Sequence, residues 1–154
     1  MATYNEKEYY PGRSKQVLIV DDKCEVREIL NVVLTMYGYS CLEASNGNEA
    51  EVMYTSNHID LVITDIYMPE KDGLSLIEEL KVLDPDAKII AMSGGDKFHN
   101  PACLDWAKAL GAANTFVKPF NHVNFMNIVD SVINPKDQHQ HVMPTRQESF
   151  ALAY

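Results

Sequence analysis

The stretch IDLVITDIYMPEKDG, residues 59–73, decides how the rest of the chain is interpreted. Its apolar run at residues 61–63 is continuous, which is typical of a strand in the middle of a parallel sheet that is covered on both faces. The run ends at Asp65, and turn-forming residues follow as far as Gly73. Because open α/β sheets bind ligands at the carboxyl ends of their strands, we expect Asp65 to lie in a functional site.

Three further apolar runs also end in polar side chains. Residues 17–20 precede Asp21 and Asp22, residues 88–92 precede Ser93, and residues 114–117 precede Lys118. If these runs are parallel neighbours of the central strand, their ends bring three carboxylates, one hydroxyl and one ammonium group to the same edge of the sheet.

Segments with helical periodicity separate these runs, so strand and helix alternate about five times. The first helix starts after the first strand and stops at Gly38, and the second starts at Asn46, with Glu49 as its capping partner. The third covers residues 73–83. The fourth starts near Pro101 and stops at Gly111, and the fifth covers residues 123–133. Such alternation with short links predicts an α/β fold, in which right-handed crossovers place helices on both faces of a parallel sheet.

The length of 154 residues suits one domain. We expect an N-terminal leader at residues 1–15, a compact domain at 16–134 and a C-terminal tail at 135–154 that is either flexible or a docking segment. No apolar run approaches the roughly 20 residues of a membrane span, and the first residues lack the apolar part of a signal peptide. These features predict a cytoplasmic protein without membrane contact.

The formal net charge of −9 favours protein partners and divalent cations over nucleic acid, since no basic stripe is available to neutralise phosphates. The three cysteines, Cys24, Cys41 and Cys103, are widely spaced. We therefore interpret them as reduced packing residues, because neither a disulfide framework nor a zinc site is indicated.

The acids at the sheet edge have two possible explanations. Asp21 or Asp22 could simply cap a helix, but a cap accounts for one acid only. Three neighbouring carboxylates would repel one another and raise at least one pKa unless a hard cation such as Mg²⁺ neutralised them. Lys118 could likewise be a surface amine and Ser93 a turn residue, or both could contact an anion held beside Asp65.

These residues together resemble the phosphoacceptor signature of response-regulator receiver domains. The resemblance rests on Asp21-Asp22, on Asp65 with Met68-Pro69 and Asp72-Gly73, on Ser93, and on Lys118-Pro119-Phe120, and it covers roughly residues 15–134. It implies a two-component signalling module with a flavodoxin-like, doubly wound sheet of five parallel strands in the order 2-1-3-4-5, flanked by about five helices.

The resemblance also implies a role for each residue. Asp65 would accept a phosphoryl group from a phosphohistidine of a sensor kinase or phosphotransfer protein. Lys118 and Ser93 would bond to phosphoryl oxygens, with Ser93 moving toward them. The Mg²⁺ ligands would be Asp22, Asp65, the backbone carbonyl of Tyr67 and, through a water molecule, Asp21.

Three departures from the family pattern concern the switch and the stability of the acyl phosphate. Thr115 stands where the family commonly has an aromatic residue, with Phe116 next to it, so the switch set is Ser93 with Thr115 or Phe116. The loop after Ser93 is longer than in minimal receivers. Tyr67 is bulky where water would approach, and together with Gly95 it predicts slow self-hydrolysis.

The leading interpretation is a stand-alone receiver, a monomer or weak homodimer, that signals to an unknown downstream protein. It would not be an enzyme beyond phosphorylating and slowly dephosphorylating itself. The alternative is a small α/β phosphohydrolase with Asp65 as nucleophile. Haloacid-dehalogenase-like enzymes of that kind carry a second aspartate two residues later, where this chain has Tyr67. An FMN-binding flavodoxin is less favoured, because no Ser/Thr-rich phosphate loop follows the first strand.

Overall fold

A computed structural model of the chain describes residues 13–94 and 100–135. Five strands alternate with five helices in this part of the chain. In order they are β1 (Gln16–Val20), α1 (Cys24–Met36), β2 (Ser40–Ala44), α2 (Gly47–Ser56), β3 (Leu61–Asp65), α3 (Gly73–Leu83), β4 (Ile89–Gly94), α4 (Cys103–Ala109), β5 (Asn114–Lys118) and α5 (His122–Ile133).

The five strands form one parallel sheet in the order β2-β1-β3-β4-β5. This is the doubly wound, flavodoxin-like arrangement that the resemblance implied, and the prediction is confirmed. β3 lies in the middle, and all five of its residues are buried. Burial on both faces explains why its apolar residues are consecutive and do not alternate with polar ones.

The core consists of two layers, one on each face of the sheet. Leu18, Val20 and Val62 pack with residues of α2, α3 and α4. Their strand neighbours Val17, Ile19 and Ile63 point to the opposite face and pack with residues of α1 and α5, since successive side chains of a strand alternate. The helices therefore hold the sheet from both sides and leave its carboxyl edge accessible.

Local capping signals act largely as the sequence indicated. The Asn46 side chain accepts a hydrogen bond from the backbone of Glu49 at the start of α2, while the Glu49 carboxylate accepts one from the backbone of Ser45. Gly38 and Gly111 follow α1 and α4 with φ values of 88° and 114°. Left-handed φ angles of this size favour glycine, which explains why these two helices end there.

Some expectations need correction. The fourth helix begins at Cys103 and not at Pro101, which lies in the preceding turn. Leu30 and Leu34 of α1 are buried as an amphipathic helix requires, but Ile29 of the same apolar pattern is 59% exposed. Expectations about the leader, the tail and residues 95–99 lie outside the described residues. Within those residues no helix combines the length and apolar character that a membrane crossing requires.

Candidate functional site

The turn after β1 places two aspartates at the carboxyl edge of the sheet. Asp21 is fully buried, whereas Asp22 is exposed. The side-chain carboxylate of Asp21 accepts a hydrogen bond from the Lys23 backbone N–H at 2.9 Å. The backbone carbonyl of Asp21 accepts one from Arg27 Nη1 at 2.8 Å. These bonds hold the turn and engage only one of the two carboxylate oxygens of Asp21. The other oxygen, Oδ2, can therefore contact groups from neighbouring strands.

Asp65 ends β3 and is 5% exposed. The following loop returns so closely over the strand end that a Cβ at Gly73 would lie 2.1 Å from the carbonyl oxygen of Asp65. The Gly73 N–H donates to the carbonyl of Ile66 at 2.8 Å. Glycine is thus required at the position where the sequence has it, and the close return fixes the backbone that carries Asp65.

Lys118 reaches this edge from the end of β5. Its ammonium nitrogen lies 3.0 Å from Asp21 Oδ2 and 3.1 Å from Asp65 Oδ1. The Lys118-Pro119 peptide bond is cis, the form that the sequence left open. One ammonium group thus bridges carboxylates from two adjacent strands.

The three carboxylates form a cluster suited to a hard cation. Ligand oxygens of Asp21, Asp22 and Asp65 all lie within 4.8 Å of one another. Asp65 Oδ1 is buried and accepts no well-oriented hydrogen bond from the described residues, so its attraction to Lys118 is mainly Coulombic. Mg²⁺ prefers carboxylate oxygens in such a setting, and the donor set fits it.

Burial and charge shift the pKa values of the bridged pair. Burial raises the pKa of Asp65 above its ordinary value, Lys118 opposes this, and the charges of Asp21 and Asp22 add to the rise. For Lys118, burial alone would lower the pKa, but the hydrogen bond to Asp21 and the negative charges of Asp21 and Asp65 outweigh burial and raise the pKa. An added cation would relieve the repulsion among the carboxylates.

Ser93 lies at the end of β4 and is 4% exposed. Its hydroxyl donates to the carbonyl of Gly94 at 3.2 Å and accepts a hydrogen bond from the Cys103 thiol at 3.5 Å. The serine is therefore at the expected edge, but its hydroxyl bonds to its own strand end and to α4. No sequence pattern indicates this contact, and Cys103 is predicted only as a packing residue.

The two residues considered for the aromatic switch point in opposite directions. Phe116 packs edge-to-face on Phe120 and Phe125, with ring centroids 5.0 and 5.2 Å away, in the layer that contains α1 and α5. Thr115 is its strand neighbour and points to the other face, toward α4. A threonine therefore occupies the α4 side of β5 at this level.

Tyr67 connects the loops that follow β3 and β4. Its hydroxyl accepts a hydrogen bond from the backbone N–H of Asn100 at 3.0 Å, and its ring packs against the layer that contains α3 and α4. The same residue lines the cleft beside Asp65. A side chain two positions after the central aspartate thus contributes to both the site and the start of the α4 region.

A cleft of about 690 Å³ opens beside the acidic cluster. Its lining includes the charged groups of Asp22, Asp65 and Lys118 and the apolar groups of Val26, Ile29, Pro119 and Phe120. Ile29 is exposed, and so are Val32 and Met36 further along α1. The cleft can therefore receive a charged group beside Asp65 and an apolar surface beside α1.

Comparison with known proteins identifies relatives that match most of the chain. The family model described as response regulator receiver domain matches residues 17–130. The chain is 33% identical over 108 residues to sporulation initiation phosphotransferase F of Bacillus subtilis, covering 70% of this chain and 85% of that protein. It is 38% identical over 119 residues to the chemotaxis protein CheY of Thermotoga maritima, covering 77% and 97%.

Solved structures agree with these sequence matches. A response regulator receiver domain protein from Clostridium thermocellum superimposes with a TM-score of 0.72 at 27% identity, covering 79% of this chain and 96% of that one. The chemotaxis protein CheY4 of Vibrio cholerae gives a TM-score of 0.71 at 25% identity, covering 78% and 99%. By sequence and by fold, the chain belongs to the response regulator receiver domain family of two-component systems.

Proposed function

We propose that this receiver accepts a phosphoryl group on Asp65 from a phosphohistidine and passes the signal on by binding other proteins. The observation that carries the proposal is the position of Lys118, whose ammonium lies 3.1 Å from Asp65 Oδ1 among three carboxylates at the open edge of the sheet. An acidic nucleophile without neutralising groups would repel a phosphorylated donor, and here an ammonium group is already in place.

The transfer needs alignment and charge neutralisation more than covalent assistance. A carboxylate oxygen of Asp65 forms a bond to phosphorus while the bond between phosphorus and the histidine nitrogen breaks, and the electron pair of that bond stays on the imidazole. Lys118 pairs with a phosphoryl oxygen during the transfer. The buried setting of Asp65 strengthens this pairing, since charges interact more strongly away from water.

Mg²⁺ would be held by the side chains of Asp22 and Asp65 and the Tyr67 carbonyl, with Asp21 acting through a water molecule. The buried, poorly bonded Oδ1 of Asp65 supports this ligand set. When bound, the ion supplies positive charge to the phosphoryl oxygens. Asp21 also positions Lys118, because its carboxylate lies 3.0 Å from the Lys118 ammonium.

The donor would be a phosphohistidine domain of a kinase or phosphotransfer protein, docking in the cleft with apolar contacts to Val26 and Ile29. One relative supports a phosphotransfer role, since it is named a sporulation initiation phosphotransferase, and another supports a role in signalling, since it is named a chemotaxis protein. On phosphorylation, Ser93 would move toward the phosphoryl group and bias the α4 and β5 region between two arrangements. The domain boundaries of 16–134 and a monomeric or weakly dimeric state complete the proposal.

The phosphohydrolase alternative finds no support in the comparisons. The haloacid-dehalogenase-like enzymes considered for it carry a second aspartate, as acid and base, two residues after the nucleophile. Tyr67 stands there, with its hydroxyl bonded to the backbone of Asn100.

Incubation with acetyl phosphate and Mg²⁺, followed by intact mass measurement, tests the proposal. We expect one phosphoryl adduct on the parent protein and on Asp60→Asn, but none on Asp65→Asn. Asp60 is a matched control because it lies at the opposite edge of the sheet, next to β1 and His58. Continuous release of phosphate over many turnovers, or an adduct that survives in Asp65→Asn, would contradict the proposal.

A further inference from the structure

We propose that Cys103 is a positioning residue that holds Ser93 in the resting arrangement of the switch. This inference rests on the proposed function, because it concerns how Ser93 reaches a phosphorylated Asp65. Cys103 is 1% exposed and Ser93 is 4% exposed, so water does not compete for their contact. The thiol sulfur lies 3.5 Å from the serine oxygen.

The hydrogen bonds of Ser93 determine what must change for it to contact a phosphoryl group. A serine hydroxyl has one proton to donate and two lone pairs. In the resting arrangement the proton is directed to the Gly94 carbonyl at 3.2 Å, and a lone pair accepts from Cys103. To donate to a phosphoryl oxygen, the Ser93 hydroxyl must give up its hydrogen bond to the Gly94 carbonyl. Movement of Ser93 toward Asp65 also breaks its contact with the Cys103 thiol.

Backbone hydrogen bonds fix the position of Cys103 at the start of α4. The Cys103 N–H donates to the Asn100 carbonyl at 3.1 Å, and the Asn100 N–H donates to the Tyr67 hydroxyl at 3.0 Å. The Asn100 side chain accepts a further hydrogen bond from Ala102 at 2.9 Å. Cys103 is thus tied through Asn100 to the loop that follows β3, and it does not simply follow Ser93 when the serine moves.

The contact therefore stabilises one of two states, and its strength sets part of the switching equilibrium. A thiol is a weak donor, and a hydroxyl in the same place is a stronger one. Cys103→Ala removes the donor and should favour the arrangement in which Ser93 contacts the phosphoryl group. Cys103→Ser keeps a donor, strengthens it and should favour the resting arrangement.

The test uses the full-length protein with Mg²⁺ and beryllofluoride, a phosphoryl mimic, and follows the bound fluoride by ¹⁹F NMR. We expect the beryllofluoride concentration at half-saturation to fall about threefold in Cys103→Ala and to rise about threefold in Cys103→Ser. The opposite signs matter because both substitutions remove the sulfur. A packing role alone would move both variants in the same direction.

Cys41→Ala and Cys41→Ser are the matched controls. Cys41 is partly buried on β2, away from the switch, and we expect both variants to bind beryllofluoride as the parent does. Urea unfolding of all four variants shows whether a shift follows stability alone. Shifts of Cys103→Ala and Cys103→Ser in the same direction, or no shift in either, would overturn the inference and leave the proposed function intact. A parent protein that binds no beryllofluoride and forms no adduct on Asp65 would overturn both.

Discussion

Two aspartate sites at opposite edges of the sheet have opposite charge surroundings. At the amino edge, the carboxylate of Asp60 accepts a backbone hydrogen bond from Gln16 at 2.8 Å. Three basic side chains surround it, with nitrogen–oxygen distances of 3.3 Å to His58 and 3.8 Å to both Arg13 and Lys15. At the carboxyl edge, three carboxylates share one ammonium group among the described residues near them.

This difference separates a structural aspartate from a reactive one. Asp60 accepts a backbone hydrogen bond and faces basic side chains that are partly exposed to water, so the contacts stabilise the fold only modestly. Asp65 is more buried, retains a carboxylate oxygen without a well-oriented hydrogen bond, and lies among like charges. Such a group is expected to bind a cation or to be modified.

The largest expected effect comes from removing the ammonium group that bridges Asp21 and Asp65. Lys118→Met leaves two buried carboxylates without it, which should cost about 3 kcal/mol in the free energy of unfolding without metal. Phosphorylation of Asp65 by acetyl phosphate should fall at least about tenfold. Adding Mg²⁺ should reduce the loss of stability, because the cation neutralises the same carboxylates. Urea unfolding with EDTA or Mg²⁺ and intact mass measurement check these outcomes.

Lys15→Met is the matching change at the amino edge. Its ammonium group is about half exposed and 3.8 Å from Asp60, so the free energy of unfolding should change by no more than about 0.5 kcal/mol. Mg²⁺ should make no difference to it. Equal losses of stability in Lys15→Met and Lys118→Met would show that the two edges do not differ as described.

Neutralising one aspartate at each edge should shift stability in opposite directions. Burial raises the pKa of Asp65, so the folded state holds the proton more tightly than the unfolded state does. The stability that this provides is fully present below the ordinary pKa of an aspartate and is lost as pH rises through the raised value. At neutral pH without metal, Asp65→Asn should therefore unfold at higher urea concentration than the parent protein, and the gain should disappear in acid.

Asp60→Asn should instead lower the free energy of unfolding at neutral pH by about 1 kcal/mol, because it weakens the bond from Gln16 and removes the charge that the basic residues face. Urea midpoints measured in EDTA between acidic and neutral pH compare the two variants. A destabilised Asp65→Asn would mean that Lys118 stabilises the charged carboxylate more than burial and the other acids oppose it.

The strands and the site residues could be predicted because the reactive side chains directly follow the apolar runs that form the strands. Consecutive apolar residues before Asp21, Asp65 and Lys118 indicated buried parallel strands, and parallel strands necessarily share one carboxyl edge. The strand order came from the resemblance to receiver domains, since periodicity alone does not say which strands are neighbours. The cis bond before Pro119 was only an open possibility, because proline permits both forms.

Contacts between distant side chains could not be predicted in the same way. The bond between Cys103 and Ser93 depends on how α4 docks against the end of β4, and no residue spacing encodes that distance. The exposure of Ile29 was missed because helical periodicity cannot show how much of an apolar stripe is covered. Strand alternation explains why Thr115 and Phe116 point in different directions. Only the packed structure shows that Thr115 is the one that points toward α4.

The smallest expected effect concerns the aromatic side chain that covers part of the carboxyl edge. Tyr67 lines the cleft beside Asp65, and the bond from Asn100 holds its hydroxyl in place. Tyr67→Ala should speed the loss of phosphate from Asp65 several-fold, because water gains access to the acyl phosphate. Tyr67→Phe keeps the ring and loses only the hydroxyl, so its rate should lie between those of Tyr67→Ala and the parent protein.

The decay of the mass adduct after removal of acetyl phosphate measures these rates. Tyr54→Phe is the control. It also removes a phenol hydroxyl that forms a hydrogen bond, in this case to Asp84 at 2.8 Å, but Tyr54 belongs to α2 and does not line the cleft. It should lose phosphate at the parent rate. If Tyr67→Ala loses phosphate no faster than the parent protein, the ring does not shield the acyl phosphate.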